Sequence, residues 1–177
     1  MSKPQGNPFW QWSLDVYERA GVKNRLIYLQ DDFGFDVNIT LWCCWRACDG
    51  ETLSEDAVRS AEKACGQWVD GVIEYLREAR INARNGPPAL YQQIKEAELA
   101  AEHHEQDILY GLSAGFLAKI EREEAMALAK SNLSLYASLI DAPRRAGYSS
   151  TLLLDLIDHI FNSGDAGQTG KADRNTA

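Results

Sequence analysis

The chain has 177 residues, 45% of them hydrophobic and 25% charged, with a formal net charge of −8. Length and composition fit one globular unit, and five Trp, seven Tyr and five Phe supply a core that needs no metal or disulfide. The acidic surplus excludes nucleic acid as the main partner, because phosphate binding needs Lys and Arg in excess on one face, and it disfavours anionic membrane surfaces.

Met1 to Gly6 is polar and does not open a secretory signal. No run approaches the roughly 18 apolar residues that suggest a membrane span. The expectation is a soluble cytoplasmic protein with no membrane association. Cys43, Cys44 and Cys48 crowd into an aromatic-rich segment and Cys65 follows at a distance, which is no secreted disulfide framework.

In chain order, residues 1–7 read as a disordered N-terminus. Asn7-Pro8 starts a helix, with Asn as N-cap and Pro at the first helical position. That helix, 9–19, carries Phe9, Trp12, Leu14, Val16 and Tyr17, and Gly21 ends it. A second helix, 22–31, carries Leu26, Ile27 and Leu29 and stops at Gly34. Asp36 is the expected N-cap of a third helix. Its residues Ile39, Leu41, Trp42, Cys43, Cys44 and Trp45 are apolar nearly all round, which places it at the centre of the fold. Asp49-Gly50 is a turn.

Thr52 and Ser54 compete to cap a long helix reaching about residue 84. Its Val58, Ala61, Cys65, Trp68, Val72, Tyr75 and Ala79 alternate spacings of three and four, a heptad stripe. Asn85-Gly86-Pro87-Pro88 breaks it. A helix over 88–112 continues the pattern with Leu90, Ile94, Ala97, Ala101, His104 and Ile108. The two should fold back as an antiparallel hairpin with Trp68 near His104. After a break at 111–115 comes a helix over 116–140 with Leu117, Ile120, Ala127, Leu128, Leu135 and Leu139 facing the core. Pro143 and Gly147 close it. A last helix, 151–161, is capped by Ser149 or Ser150 and carries Leu152, Leu153, Leu156, Ile157 and Ile160. Residues 162–177 read as a disordered tail. The fold expected is all-α: a compact bundle of about six to seven helices over 8–161, one domain, with a central antiparallel hairpin.

Two polar segments stand out. Asp31, Asp32, Asp36 and Asn38 surround a turn beside the most apolar helix. Helix punctuation accounts for each separately, and a polar pocket for all together. Glu98, Glu102 and Glu105 lie along one side of their helix, with His104 in its apolar stripe as a core histidine. Neither His103 nor His104 completes a Glu-x-x-His motif, so no metal site is assigned. Arg77, Arg80 and Arg84 line one side of the preceding helix and answer the acidic one. The cysteines lack Cys-x-x-Cys spacing and read as buried thiols. No Walker loop, dinucleotide fingerprint or nucleophile elbow is present.

The segments Phe9-Trp10-Gln11-Trp12-Ser13-Leu14, Leu29-Gln30-Asp31, Asp36-Val37-Asn38 and Cys43-Cys44-Trp45, with Trp68, Arg77, Arg80, Glu98, Glu102, Glu105-Gln106, Asn132-Leu133 and Tyr136, carry a resemblance. Together they resemble an uncharacterised proteobacterial family of small helical proteins, a domain of unknown function, over about residues 9–140. The resemblance implies an all-helical cytoplasmic bacterial protein, and no catalytic residue or cofactor.

On the residues alone the leading expectation is a regulatory or interaction module acting through a protein partner or by self-association. Trp10, Trp12, Trp42 and the apolar last helix motivate it. The alternative is an enzyme or small-ligand or metal-binding protein whose ligand meets Asp31, Asp36, Asn38, Arg77, Arg80, Glu98 and Glu102.

Overall fold

A computed structural model describes residues 6–113 and 120–162. The tail 163–177, residues 1–5 of the N-terminus and Leu117 at the expected start of the fifth long helix lie outside the described residues. Eight α-helical stretches follow one another: α1 Pro8–Tyr17, α2 Val22–Phe33, α3 Val37–Cys48, α4 Glu55–Trp68, α5 Glu74–Asn82, α6 Pro88–Gly111, α7 Arg122–Leu139 and α8 Ser150–Asn162. No strand occurs among the described residues. No described helix is long and apolar enough to cross a membrane.

The helix starts follow from local chemistry. The Asn7 side chain accepts the backbone N–H groups of Phe9 (2.9 Å) and Trp10 (3.2 Å) that the first turn leaves over, and Pro8 has none to satisfy. Asp36 does the same for Ile39 at 2.9 Å, and Ser54, not Thr52, caps α4 through Ala57. Gly34 ends α2 with φ 75°, and a Cβ there would stand 2.6 Å from the Arg145 guanidinium. The left-handed backbone requires glycine, whereas the exposed Arg145 side chain could move aside.

The α3 helix runs through the middle. Ile39, Leu41, Trp42, Cys43, Cys44 and Ala47 are all buried, together with the polar Asn38, Thr40 and Arg46. Phe9 and Val16 of α1, Leu26, Leu29 and Phe33 of α2, Leu133 and Tyr136 of α7, and Leu156 and Ile160 of α8 join it in one apolar cluster. Each such side chain contributes roughly 1.5–3 kcal/mol of transfer free energy. The four thiols are free. Burial holds those of Cys43, Cys44 and Cys65 well above the usual range and pushes Cys48 to about 12. They are packing groups, as their spacing indicated.

The expected hairpin is present: α4 and α5 form one rod that returns antiparallel as α6. Trp68 and His104 meet edge to face at 4.6 Å, and the indole N–H donates to the Ala101 carbonyl at 2.9 Å. The regular stripe, however, does not survive. A π-helical turn over Val69–Ile73 inserts one residue per turn. One extra residue rotates everything downstream by about 100°. Ile73 becomes the buried residue, Tyr75 turns outward to 67% exposure, and Arg77 and Arg80 swing toward α6. On α6 the buried side is Glu98, Ala101, Glu105, Gln106 and Leu109. His104 is exposed rather than a core histidine, and Leu90 and Ala97 face outward.

Two further expectations shift. The α7 helix begins at Arg122, and it buries Ala125, Ala129, Asn132, Leu133 and Tyr136 while Ala127 is exposed. Small and polar residues lie inward because α7 packs closely along α3. Asn162 belongs to α8, where its side chain donates to Asp158. The apolar face of α8 is already covered by α2 and α7. Trp42 is buried with its N–H on Ser113 Oγ, Trp12 packs on the core, and Trp10 stacks on His103 at 4.3 Å. The features that motivated docking elsewhere are therefore used within the fold.

Asn132, fully buried, ties α7 to the α3–α4 loop. Its Oδ1 accepts from Leu53 N–H (2.9 Å) and its Nδ2 donates to the carbonyls of Cys43 and Glu51 (3.1 Å each). Asn132→Leu leaves the buried Leu53 N–H without its acceptor and removes the bonds to the Cys43 and Glu51 carbonyls. We expect a loss of about 2–4 kcal/mol in urea unfolding, and a loss under about 1 kcal/mol would show that water takes over those groups.

Candidate functional site

Five helices each turn one face toward a shared cavity of about 300 Å³. The α1 helix contributes Trp10, Ser13, Leu14 and Tyr17, spaced i, i+3, i+4, i+7 and therefore on one side. The α2 helix adds Ile27, Gln30 and Asp31, and the first turn of α3 adds Val37, Asn38 and Leu41. From the hairpin come Arg77, Arg80 and Ile81 of α5, and Glu98, Leu99, Glu102 and Gln106 of α6. The volume falls at the low end of ligand pockets, roughly 300–1,000 Å³.

One wall is ionic. Arg80 grips Glu98 through two nitrogens, Nε to Oε2 and Nη2 to Oε1 at 3.2 Å. Arg77 approaches the same Oε1 at 3.6 Å and reaches Glu102 at 3.9 Å. A buried carboxylate held by a two-point arginine contact is a strong, directional pair. Glu102 has the looser partner. Burial first and the Glu98 charge second push its carboxyl up to about 7, against the pull of Arg77. Across the cavity, burial and Glu102 also raise the Tyr17 phenol.

The floor is a relay of amides. Ser13 Oγ donates to Gln106 Oε1 at 2.8 Å, Gln106 Nε2 donates to Asn38 Oδ1 at 2.7 Å, and Asn38 Nδ2 donates to Glu105 Oε2 at 2.6 Å. Glu105 is 1% exposed, and its other oxygen, Oε1, meets no donor. The neighbouring group is the Asp36 carboxyl. Burial and that charge push Glu105 up to about 9, and burial raises Asp36 as well. Two carboxylates side by side in a dry site cannot both ionise. A proton on Glu105, given to Asp36, answers both.

Of the seven residues singled out from the sequence, Asp31, Asn38, Arg77, Arg80, Glu98 and Glu102 line the cavity. Asp36 does not: it lies beyond the floor, capping α3 and facing Glu105. Asn38 does not bond the turn it follows but holds α6 to α3. Trp10, Ser13, Leu14, Tyr17, Glu105 and Gln106 were missed. Leu14 and Tyr17 read as core-facing, yet Leu14 is 39% exposed at the cavity mouth. Glu105 had a signal, since it continues the Glu98–Glu102 side of the helix. Among the described residues no three His, Cys, Asp or Glu side chains gather as a metal ion needs.

A family model described as "Protein of unknown function (DUF2390)" matches residues 8–109. That span holds every residue lining the cavity, while α7 and α8 lie beyond it. No curated protein and no solved structure matches the chain.

The Glu105 proton has a consequence for stability. Its pKa is about 9 in the folded protein against an ordinary 4.5. Between those values the folded state holds more protons than the unfolded one, so stability falls as pH rises from about 5 to about 9. Glu105→Gln keeps both hydrogen bonds without a titrating proton. We expect its unfolding free energy to gain on that of the native protein across this window, followed by urea melts at pH 5, 7 and 9. A constant difference between the two proteins would mean that Glu105 is ionised throughout.

Proposed function

The chain belongs to the DUF2390 family of proteins of unknown function, and from that premise we propose that it is a small-molecule-binding protein whose ligand occupies the five-helix cavity. One observation carries the reading: Asp31, Asn38, Arg77, Arg80, Glu98 and Glu102, chosen for their chemistry from four separate helices, share one concavity. A few convergent polar groups within apolar walls are the usual composition of such a site. Glu102, close to neutral pH in its proton exchange, is the side chain placed to act as general acid or base if the bound molecule is turned over. Arg77 beside it is placed to hold developing negative charge.

A ligand-observed NMR screen of a general fragment library tests this. Native protein should give a set of compounds that compete with one another. Leu14→Trp, at the mouth where Leu14 is 39% exposed, should abolish most of them. A screen with no binders, or with binders indifferent to Leu14→Trp and Arg80→Ala, would remove the cavity from consideration.

A second reading, the interaction module acting through a partner or self-association in the cytoplasm, is supported by the outer side of the hairpin. Tyr75 (67% exposed) and Leu90 (47% exposed) are uncovered there, and α5 buries no residue of its own. Light scattering after size exclusion should then report twice the chain mass, reverting to one chain in Tyr75→Ser/Leu90→Ser. A monomer at all concentrations would leave self-association without support.

A further inference from the structure

The walls of the cavity carry unequal charge. Arg77 and Arg80 face Asp31, Glu98 and Glu102, so the site holds one net negative charge when Glu102 is ionised. The two cations are not available on equal terms. Both nitrogens that Arg80 offers the site are spent on Glu98, and Arg77 divides itself between Glu98 and Glu102. An anionic ligand must either break the two-point Arg80–Glu98 pair or compete with Glu98 and Glu102 for Arg77, in a site with one carboxylate more than its arginines. A cation meets Glu102 and Asp31, whose charges the arginines leave under-compensated.

The mouth has a different character. Leu14, Ile27, Ile81 and Leu99 all line the cavity, and all four are large apolar side chains exposed by 36–59%. Scattered single apolar residues are ordinary on a surface, but four around one opening make a patch. Trp10, stacked on His103, and Tyr17, whose ring already holds the Lys23 ammonium at 5.7 Å, also line it, and aromatic rings attract organic cations. We propose that the ligand is a small organic cation, an amine bearing an apolar chain or ring, with its ammonium group at Glu102 and Asp31 and its apolar part across the Leu14, Ile81 and Leu99 rim. This rests on the reading of the cavity as a ligand site.

Proton linkage gives the inference its sign. The groups acting on Glu102 are Tyr17 from α1, Arg77 and Arg80 from α5, Glu98 from its own helix and Asp36 from beneath the floor, and Asp31 of α2 lines the same cavity. At pH 7 the Glu102 carboxyl is about half protonated. An arriving cation expels that proton, while an arriving anion draws one in.

The test uses three matched probes, n-hexylamine, hexan-1-ol and hexanoic acid, titrated calorimetrically into the native protein at pH 7 in phosphate and in HEPES. The amine should bind at least about tenfold more tightly than the alcohol or the acid. The difference in heat between buffers should report release of roughly half a proton. Glu102→Gln should weaken the amine about five- to tenfold, abolish the proton release and leave hexanol binding unchanged. Preference for the acid, equal affinity of all three, proton uptake with the amine, or indifference to Glu102→Gln would each overturn the cation assignment. If none of the three binds while the fragment screen still yields compounds sensitive to Leu14→Trp, the assignment falls and the cavity reading stands. If the screen is also empty, both fall.

Discussion

The α3 helix is enclosed on nearly every side, so each polar group it carries must be answered from another element. Arg46 turns to Asp49 at 2.9 Å and to Glu51 in the loop that follows. The Cys43 carbonyl takes an N–H from Asn132, which sets α7 alongside. The Asp36 N–H goes to the Tyr136 hydroxyl at 3.0 Å, one turn further along the same helix. Asn38 is answered by Glu105 and Gln106, which sets α6 across the start of α3. Each bond is worth only about 1 kcal/mol net. Leaving any of these buried groups without a partner costs more than that, so together they select a single docking of α6 and α7. The cavity is the space left between that docked α6 and the first two helices.

The π turn decides what lines that space. Without it, the heptad stripe running from Val58 through Cys65 would carry Tyr75 and Ala79 onto α6 and leave Arg77 and Arg80 at its flank. With one residue more per turn, the arginines face Glu98 and Glu102. The segment that absorbs the change contains Gly71, where a Cβ would meet nothing, and glycine lowers the resistance to a non-α turn. A buried Glu98 without Arg77 and Arg80 would be an isolated charge in a low-dielectric setting, which costs several kcal/mol. The insertion and the acidic face of α6 therefore require each other. π turns are often found at functional sites for the same reason: they redirect side chains that a regular helix would align.

This explains how far the sequence could be read. Helix starts and stops were legible because capping is local: Asn7, Gly34, Asp36 and Ser54 act within three residues of themselves. The centrality of α3 was legible because a helix apolar on all sides has nowhere else to go. Six of the seven polar candidates converged because charge on α5 had to be matched by charge on α6. The register of the second half of the α4–α5 rod was not legible, since spacing alone cannot reveal an extra residue in one turn, and the error carried over to Tyr75. On α7 the apolar pattern pointed to Ala127, Leu128 and Leu135. Leu128 and Leu135 do pack on the core, but Ala127 is exposed, and the close approach to α3 buries Ala125, Ala129 and Asn132, which a hydrophobicity rule passes over. Asp36 was placed with the ligand-facing group because its neighbour Asn38 belongs there. Asp36 stands outside the helix as its N-cap, in extended backbone, while Asn38 lies in the first turn, and that was enough to put one carboxyl beneath the floor.

Glu102 and Glu105 sit three residues apart on α6 and do opposite things. Glu102 faces the cavity, a third of its side chain open to water, beside Arg77, and exchanges its proton near neutrality. Glu105 faces Asp36 in a dry interior and keeps its proton. Environments that push two like groups apart in this way separate a titrating role from a structural one. The structural role reaches the cavity nonetheless. Because Glu105 Oε2 can only accept, the Asn38 amide must present its NH₂ to it and its carbonyl to Gln106. Gln106 must then give its NH₂ to Asn38, leaving its own carbonyl for the Ser13 hydroxyl. The polarity of the whole floor is thus set by a buried carboxyl that the ligand does not touch. Ionising Glu105 would not reverse it, since Oε2 accepts in either state. Only a donor at that position, such as a Lys, would have to flip both amides in turn.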